Sequence, residues 1–584
     1  MEIRIFKNGE TLEMGRERSA VRINILMLIF LILGLLVLGR LFQKQVLERN
    51  KYIALAESQH NITQEVPAHR GRIFFSGKSE NETYLAATNL PLYSVSVVPR
   101  QVRDKGGTAR KIASILGITE KEIFDEINND KPYIPPIKQK LEYPLAEKLS
   151  SLDLTGVYVL PEEWRYYPEN SLAAHVLGYM DTEKKGLYGI EGYFNNELSG
   201  DSGKFYAEKD VFGRYITVTS SEKSLDGKDI VLSIDRSVQY YAENLIAEAL
   251  KAYGAKSGEI VVMDPKSGKI LAMAASPSYD PNSYSAAAGK DGTGIFNNPA
   301  VSKVYEPGSV FKPLVMAAAI DAGAVTPATE DYFGAYVEVG KDKIWDALKV
   351  AYGRQNMSQV LETSNNVGMV YVAQKLGKKP MYEYLKNFGL GKETGIELSG
   401  EVSGRLPTPA EMREVDAATI SFGQGVSVTD LQMVSSYGAL VNGGTMMKPH
   451  IVDRIVDPNV SEPKEGVQKV NVEVESTPIK SLTARYLNEM MVSVVEVGHS
   501  KTAAIPGYKI GGKTGTAQIP VPGGYSETRT IQSFVGFGPA NDPSFLVLVK
   551  LSEPNTKWAE SSAAPVFATM MKFLLNYYQV PPTR

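Results

Sequence analysis

Cysteine is absent from the 584 residues of this chain, and histidine is scarce. Without a thiol, the chain has no thiolate nucleophile, no disulfide bond and no cysteine-based zinc site. The five histidines stand far apart, and none has the paired spacing of a helical zinc motif. We therefore expect no metal site and no cofactor.

An excess of charge of either sign is also missing. The 63 Lys and Arg residues nearly balance the 66 Asp and Glu residues, which leaves a formal net charge of −3. The chain therefore has no general basic field to attract nucleic acid. Its ordinary globular composition, with 43% hydrophobic residues, excludes wholesale disorder, and its length excludes a single domain.

Only one apolar run is long enough to approach the thickness of a bilayer. Residues 23–39 carry no charge, and as a helix they would span about 26 Å. Leu41 and Phe42 lengthen the apolar face, and no small-x-small cleavage pattern follows it. These features predict an uncleaved transmembrane signal anchor over residues 23–42. Five basic residues precede the run and four follow it, so charge does not fix its orientation.

Two soluble regions follow the predicted anchor. Residues 43–225 alternate strand-like runs, such as residues 93–98, with polar helical stretches and carry no catalytic pattern. From residue 226 the pattern predicts a strand beginning at Asp229, a helix over residues 239–250 and a hairpin that turns at residues 265–268. A second strand pair around residues 541–543 and a final helix over residues 562–577 close the chain. Strands at both ends with helices between them predict an α/β (α+β) layer architecture.

An S-x-x-K pattern runs from Ser309 to Lys312, and another copy runs from Ser461 to Lys464. Their contexts differ, because Ser461 lies in a polar loop whereas Ser309 opens an apolar helical run that ends near Gly323. On a helix, residues i and i+3 share a face, so Lys312 could take the hydroxyl proton of Ser309 if its pKa is lowered. Alone, Ser309 would equally suit a helix N-cap.

Two further patterns follow the Ser309 pattern in the chain. The sequence Ser364-Asn365-Asn366 supplies an S-x-N pattern, which also occurs by chance at residues 79–81. The sequence Lys513-Thr514-Gly515 occurs once, in a strand-like stretch whose glycines would let a ligand approach the backbone. In this order, S-x-x-K, S-x-N and K-T-G form the signature set of β-lactamases and penicillin-binding proteins.

The chain resembles the class B penicillin-binding proteins over nearly its whole length beyond the anchor. Residues 298–300, 305–313 and 421–429 are similar to the segments that surround the nucleophile in that family. Motifs similar to those of its pedestal domain lie at residues 70–73, 165–168, 174–179 and 189–191. The chain departs from the family pattern at residues 74–77, where Phe-Phe-Ser-Gly replaces the usual Asp-Arg-Asn-Gly type of turn.

The resemblance implies a fold, an activity and a set of domains. Residues 1–22 would be a cytoplasmic tail, 23–42 the anchor, 43–225 an elongated pedestal (dimerisation-type) domain and 226–584 the transpeptidase domain, with a central antiparallel sheet flanked by helices. The activity would be that of a peptidoglycan D,D-transpeptidase, which cross-links stem peptides, releases terminal D-Ala and is the target of β-lactams.

The resemblance also implies the roles of the site residues. Ser309 would be the nucleophile and Lys312 its base, and Ser364 would relay a proton while Asn366 positions the substrate amide. Lys513, with the hydroxyls of Thr514 and Thr516 on either side of Gly515, would hold the carboxylate of the substrate. The backbone N–H groups of Ser309 and Thr516 would form the oxyanion hole.

Two other interpretations of the same motifs stay open. A catalytically idle protein could use this fold to sense β-lactams or to act as a scaffold for cell-wall enzymes, although the complete catalytic set argues against that. A β-lactamase of class A would need a deacylating Glu in a Glu-x-x-Leu-Asn run, which is absent from the sequence. The carboxylates of Glu383, Glu393 and Glu411 have no such partner, and we expect them to be exposed to solvent.

The substrate implies a place and partners for the chain. Stem peptides lie outside the cytoplasmic membrane, so residues 1–22 would lie inside it and the catalytic domain outside. The short segment between Asp181 and Gly189 favours a division-type over an elongation-type enzyme, working beside a membrane glycosyltransferase. The acceptor amine, whether Lys or diaminopimelate, stays open.

Overall fold

The computed structural model describes residues 10–52, 61–79, 81–209, 215–289, 293–460, 462 and 465–583. The chain divides into two compact units. The first combines Met1–Ala68 with Asp201–Leu225, and the second combines His69–Gly200 with Asp226–Arg584.

The first unit contains a long N-terminal helix and a small sheet. The helix spans Glu10–Phe42 and continues as a π-helical turn at Gln43–Leu47. Over Ala20–Leu47 it is long and apolar enough to cross a membrane, with a mean hydropathy of 2.8, and it includes the predicted anchor. The sheet consists of three antiparallel strands, in the order Asn61–Val66, Gly203–Lys209 and Tyr215–Glu222.

The second unit contains a seven-stranded sheet that draws on both predicted soluble regions. The strands at residues 93–98 and from Asp229 were predicted correctly. Residues 74–77, where the family pattern fails, lie in or next to a strand that pairs in parallel with the Asp229 strand. The strand order is Val467–Lys469, Val452–Val456, Asp229–Asp235, Ile73–Ser76, Thr83–Val97 and Lys138–Leu141, with Val157–Tyr166 also paired to Thr83–Val97.

The pedestal motifs converge on one buried carboxylate, that of Glu191. Arg70 donates to it through Nε and Nη2 at 2.8 and 2.6 Å, and Arg165 donates through Nε at 2.6 Å. The Tyr167 hydroxyl donates to the same carboxylate at 3.2 Å. Glu191 has no exposed surface, and a buried carboxylate is tolerated only when it is paired and hydrogen-bonded in this way. These motifs therefore serve the fold rather than catalysis.

Helices cover the part of this sheet formed by residues 83–166. The capping box of Thr119 and Glu122 begins one of them, and a left-handed Gly117 ends the helix before it. Their apolar faces bury Ile112, Ile123 and Leu149 against Val95 and Val97 of the sheet. The helices and strands over residues 105–199 are Lys105–Leu116, Glu120–Ile127, Tyr143–Ser150, Ala174–Leu177, Tyr179–Met180, Gly186–Leu187, Gly189–Tyr193 and Asn195–Ser199.

The centre of the second unit is a five-stranded antiparallel sheet, as the resemblance implied. The predicted hairpin turning at residues 265–268 forms two of its strands, and the predicted pair around residues 541–543 forms two more. The strand that contains Lys513 lies at the edge of the sheet. The order is Ile270–Ser276, Ser257–Met263, Phe545–Ser552, Gly524–Gly538 and Gly511–Val521.

Helices pack on both faces of the central sheet, which explains its nearly continuous apolar strands. Alternate side chains point to opposite faces: Ile260 joins a core with the helices Arg236–Tyr253 and Ala563–Tyr577. Val261 instead joins the core that contains the helix Lys312–Asp321. The other helices of this region are Tyr284–Ala287, Pro299–Ser302, Met357–Glu362, Asn366–Leu376, Lys378–Asn387, Glu414–Ile420, Asp430–Val441 and Ser481–Glu496.

Three two-stranded ladders complete this region. Glu330–Phe333 pairs with Gly353–Asn356, and Tyr336–Val339 pairs with Asp342–Trp345. The third ladder joins Met446–Met447 to Val474–Ser476. The first two ladders together occupy the chain between the S-x-x-K and S-x-N patterns.

Candidate active site

Ser309 lies in a 3₁₀ turn, Gly308–Phe311, that runs directly into the helix Lys312–Asp321. That helix is apolar on all sides and is buried from Lys312 to Ala319, so it is fixed within the core. The turn is fixed at both ends, because Gly308 donates to Gly423 O at 3.0 Å and the Tyr437 hydroxyl donates to Val310 O. Ser309 itself is only half-buried. A rigid core helix thus presents a partly accessible hydroxyl at its N-terminus.

Lys312 is fully buried, and its amine points to the S-x-N segment. Its Nζ lies 2.7 Å from Asn366 Oδ1 and 3.2 Å from Ser364 Oγ, and it also donates to the Ser364 carbonyl oxygen. Among the described residues, the Lys312 amine makes its hydrogen bonds to Ser364 and Asn366 and makes none to Ser309. The expectation that Lys312 lies one helical turn above Ser309 agrees with the observed 3₁₀-to-α transition between them.

Ser364 and Asn366 are held by an unusual backbone conformation. Ser364 has a φ of 54°, in the left-handed region that L residues seldom occupy. It stands between the helices Met357–Glu362 and Asn366–Leu376. Asn365, which is fully buried, caps the second helix by accepting from Gly368 N–H at 3.0 Å. The turn aims the Ser364 hydroxyl and the Asn366 carboxamide at the same amine.

Lys513 reaches this point from the edge strand of the central sheet. Its Nζ lies 3.0 Å from Ser364 Oγ and also contacts Thr514, at 3.2 Å from the carbonyl oxygen and 3.5 Å from Oγ1. Lys513 is 1% exposed. The Ser364 hydroxyl therefore stands between two lysine amines that arrive from different elements of the fold.

The pKa values of both lysines are shifted in the direction that acid–base chemistry requires. Burial, followed by the nearby charge of Lys513, holds the pKa of Lys312 well below its ordinary value. Burial also lowers the pKa of Lys513 to about 8, against a partial opposing effect of Glu560. A neutral Lys312 next to a cationic Lys513 is thus accessible near neutral pH, and an amine of this kind can act as a general base.

Thr514, Gly515 and Thr516 continue the edge strand past Lys513. The Thr516 hydroxyl accepts from Ala559 N–H at 3.2 Å, which leaves its proton free to be donated. A Cβ at Gly515 would stand 2.9 Å from both Pro307 O and Val310 Cγ1. The glycine therefore allows the strand to approach the turn that carries Ser309. At Gly515, the group that approaches the backbone closely is this turn and not the ligand that the sequence suggested.

The motif patterns missed Asp346, which is 2% exposed and accepts from Asn366 N–H through Oδ2 at 3.1 Å. They also missed Glu560, whose charge acts on Lys513. No local pattern marks either residue, because both reach the site through tertiary packing.

The remaining sequence expectations concern residues outside this cluster. Ser461 and Lys464, which belong to another S-x-x-K pattern, lie outside the described residues. Glu383, Glu393 and Glu411 are exposed, as expected. Within the described ranges, no group of three or more His, Asp or Glu side chains could hold a metal ion.

Comparisons with known proteins agree with this geometry. The family described as "Penicillin binding protein transpeptidase domain" matches residues 258–572, and "Penicillin-binding Protein dimerisation domain" matches residues 65–232. Stage V sporulation protein D of Bacillus subtilis is 33% identical over 572 residues, covering 96% of this chain and 86% of that protein. The peptidoglycan D,D-transpeptidase FtsI of Escherichia coli K12 is 29% identical over 554 residues, covering 93% and 90%.

Solved structures show the same architecture. Penicillin-binding protein 3 of Mycobacterium tuberculosis, solved in complex with aztreonam, is 26% identical and has a TM-score of 0.69, covering 89% of this chain and 98% of that one. The chain therefore belongs to the class B penicillin-binding proteins, with a dimerisation domain followed by a transpeptidase domain.

Proposed function

We propose that this chain is a peptidoglycan D,D-transpeptidase that works through an acyl-enzyme on Ser309. The observation that carries the proposal is the position of Ser364 Oγ, 3.2 Å from Lys312 Nζ and 3.0 Å from Lys513 Nζ. Three sequence patterns that are far apart in the chain meet at this atom, and the first of them begins with the half-buried Ser309.

In the first step, neutral Lys312 takes the proton of Ser309 while Oγ bonds to the carbonyl carbon of the penultimate D-Ala. The tetrahedral intermediate collapses when the peptide C–N bond breaks and the terminal D-Ala leaves. The leaving nitrogen needs a proton, which passes from Lys312 through the Ser364 hydroxyl. Asn366, in contact with Lys312 at 2.7 Å, holds the amine in place and orients the substrate amide.

Two further groups of atoms bind charge during this step. The Lys513 ammonium and the hydroxyls of Thr514 and Thr516 hold the terminal carboxylate through charge-assisted hydrogen bonds, with Gly515 between them. The backbone N–H groups of Ser309 and Thr516 bind the oxyanion, and one such donor is typically worth about 3 kcal/mol.

In the second step, an amine from a neighbouring stem peptide attacks the ester and releases Ser309. A β-lactam enters the same route because its ring carbonyl and carboxylate mimic the D-Ala–D-Ala end. The exposure of Glu383, Glu393 and Glu411 to solvent, together with the lack of a Glu-x-x-Leu-Asn run in the sequence, supports a transpeptidase over a β-lactamase. The complete lysine–serine cluster supports an active enzyme over an idle sensor or scaffold.

The test is a transpeptidation assay on the purified full-length protein in detergent, with a stem-pentapeptide donor and an amine acceptor. Wild type should release D-Ala and form the cross-linked product, both measured by mass spectrometry, and Ser309→Ala should form neither. The matched control is Ser461→Ala, which alters the serine of another S-x-x-K pattern and should retain full activity. Activity that survives in Ser309→Ala, or is lost in Ser461→Ala, would contradict the assignment.

We assign the domains as residues 1–22, a cytoplasmic tail; 23–42, a single membrane anchor; 43–225, the pedestal; and 226–584, the transpeptidase. The exposed apolar helix at Ala20–Leu47 supports the anchor. The location of stem peptides supports an N-terminus inside the cytoplasmic membrane and a catalytic domain outside. Reporter fusions at residue 1 and residue 584 should be active on the inner and outer side, respectively, and the reverse result would invert the topology.

The partner in the cell is a membrane glycosyltransferase that extends the glycan strand. The short segment from Asp181 to Gly189 favours the division machinery, while the likeness to Stage V sporulation protein D gives spore formation as a second role for the same reaction. Depletion in a rod-shaped host should cause filaments for a division role and defective spores for a sporulation role. Rounded cells would indicate elongation instead.

A further inference from the structure

Asp346 is a buried carboxylate that follows the strand Asp342–Trp345 and has no part in the reaction as described so far. It is 2% exposed. Its Oδ1 accepts from Leu348 N–H at 3.0 Å, and its Oδ2 accepts from Asn366 N–H at 3.1 Å. One carboxylate therefore joins the loop after a small ladder to the first residue of the helix Asn366–Leu376.

The second of these contacts fixes the S-x-N turn at its most demanding point. An anion at a helix N-terminus satisfies a free N–H group and interacts favourably with the helix dipole. The residue two positions earlier, Ser364, holds a left-handed φ of 54°, which surrounding contacts must maintain. Gln355 supplies a second tie from the same region, because its Oε1 accepts from Asn365 Nδ2 at 2.9 Å.

Asp346 also acts on the charge balance around Lys312. The groups that face this amine are Lys513 from the edge strand, Asp346 from the ladder region, and the oxygen atoms of Ser364 and Asn366. Burial and Lys513 both lower the pKa of Lys312, whereas Asp346 raises it. The carboxylate thus limits how far the basicity of the amine falls.

We propose that Asp346 is a positioning residue for the reaction: it holds the Ser364–Asn366 turn against Lys312 and supplies the negative charge that counters Lys513. The inference rests on the proposed function, because it assigns Lys312 as the base. Asp346 acts through Asn366 and Lys312 and does not touch the reacting atoms.

The test compares Asp346→Asn with Asp342→Asn in the full-length protein. The first variant removes the charge. It also replaces one carboxylate oxygen with an amide N–H₂ group, which cannot accept the hydrogen bond from the backbone N–H of Leu348 or Asn366. The second removes the same charge from an exposed position on the adjacent strand. The measurement is the rate of acylation by a fluorescent penicillin between pH 4.5 and 9, with the melting temperature of each variant.

Asp346→Asn should slow acylation by about 10-fold at its pH optimum, because the turn shifts and the base weakens. The acidic limb of its pH profile should move to lower pH, since loss of the carboxylate lowers the pKa of Lys312. Asp342→Asn should match wild type in both respects. Asp346→Glu, which keeps the charge but displaces it, should slow acylation while leaving the acidic limb near that of wild type.

The outcomes separate this inference from the proposed function. Wild type that is not acylated at Ser309 would contradict the proposed function itself. If wild type is acylated and folded Asp346→Asn keeps both its rate and its acidic limb, only the positioning role is wrong. If Asp346→Asn has a lower melting temperature but the same acidic limb as wild type, Asp346 has a structural role only and the proposal is wrong. If Asp346→Asn does not fold, Asp346→Glu decides, and a wild-type rate in that variant would overturn the proposal.

Discussion

Gly515→Ala is the perturbation whose effect follows most directly from distances in the structure. A Cβ at this position would stand 2.7 Å from Ser533 Oγ, 2.9 Å from Pro307 O and 2.9 Å from Val310 Cγ1. The Ser533 hydroxyl can rotate away. The Pro307 oxygen cannot, because it belongs to the backbone two residues before Ser309. The edge strand and the nucleophile turn must therefore separate.

The size of the effect can be worked from these contacts. Restoring van der Waals distance requires a separation of about 0.5 Å, since close-packed interiors have no slack to absorb it. Overpacking of this kind typically costs about 1–3 kcal/mol of stability. A displacement of the nucleophile relative to Thr516 should also slow acylation by about 10- to 100-fold, because misplacement by 1 Å alone can cost about 100-fold.

The assay is the acylation rate with a fluorescent penicillin, together with thermal unfolding. Gly334→Ala is the matched control, since a Cβ there would have Tyr336 O at 3.5 Å as its nearest contact, which is ordinary packing. That variant should acylate at the wild-type rate. If Gly515→Ala acylates as fast as Gly334→Ala and melts at the same temperature, the argument for close approach of strand and turn is wrong.

Three further predictions concern charge and adduct lifetime. Lys513→Ala should weaken binding of carboxylate-bearing lactams, whereas Lys312→Ala should slow the chemical step. Equal acylation rates for Lys513→Ala and wild type would remove the anchoring role. Wild-type acylation should also decline as the pH rises through about 8, where Lys513 loses its charge. His175, buried with Nε2–H donating to Ile295 O at 3.0 Å, has its pKa lowered from 6.5 to about 4. Because the unfolded chain binds this proton more tightly, the free energy of unfolding should fall by about 3 kcal/mol as the pH falls from 6.5 towards 4. Denaturant unfolding should find a smaller fall in His175→Gln. The penicilloyl adduct should persist for at least tens of minutes, and rapid turnover of penicillin that depends on Ser309 would favour a β-lactamase.

The parts of the fold that local chemistry determines were predicted from the sequence. The turn at residues 265–268 is specified by proline and glycine, and Gly268 adopts a positive φ of 83°. The final helix was predicted from Ser562 and begins at Ala563. The long apolar helix that includes residues 23–42 was also recognisable, because an uncharged run of this length has few other uses in a protein.

The parts that depend on distant contacts could not be predicted in the same way. Lys550 interrupts an apolar strand without any local reason, and it lies fully buried, with its Nζ 2.7 Å from Asp430 Oδ2 and 3.6 Å from Glu259 Oε2. Asp346 contacts Asn366, 20 residues further along the chain, only through the tertiary fold. In the sequence, Lys550 and Asp346 are isolated charged residues, and such residues usually lie in solvent. Their burial and their partners therefore have no local signal.

The site itself was partly open to prediction from the sequence. The three patterns named Lys312, Ser364 and Lys513, and these residues meet around one hydroxyl. The left-handed backbone of Ser364 had no signal, because serine is not a residue that marks positive φ. The packing role of Gly515 was also hidden, since it depends on how closely another segment approaches.

The most direct test of the central claim is to map the penicilloyl adduct. Full-length protein incubated with a penicillin should gain the mass of one intact penicillin molecule, and peptide mapping should place that mass on Ser309. Ser309→Ala, shown to be folded by its melting temperature, should gain nothing. An adduct on another residue, or a full adduct in Ser309→Ala, would contradict the claim that Ser309 is the acyl-accepting nucleophile.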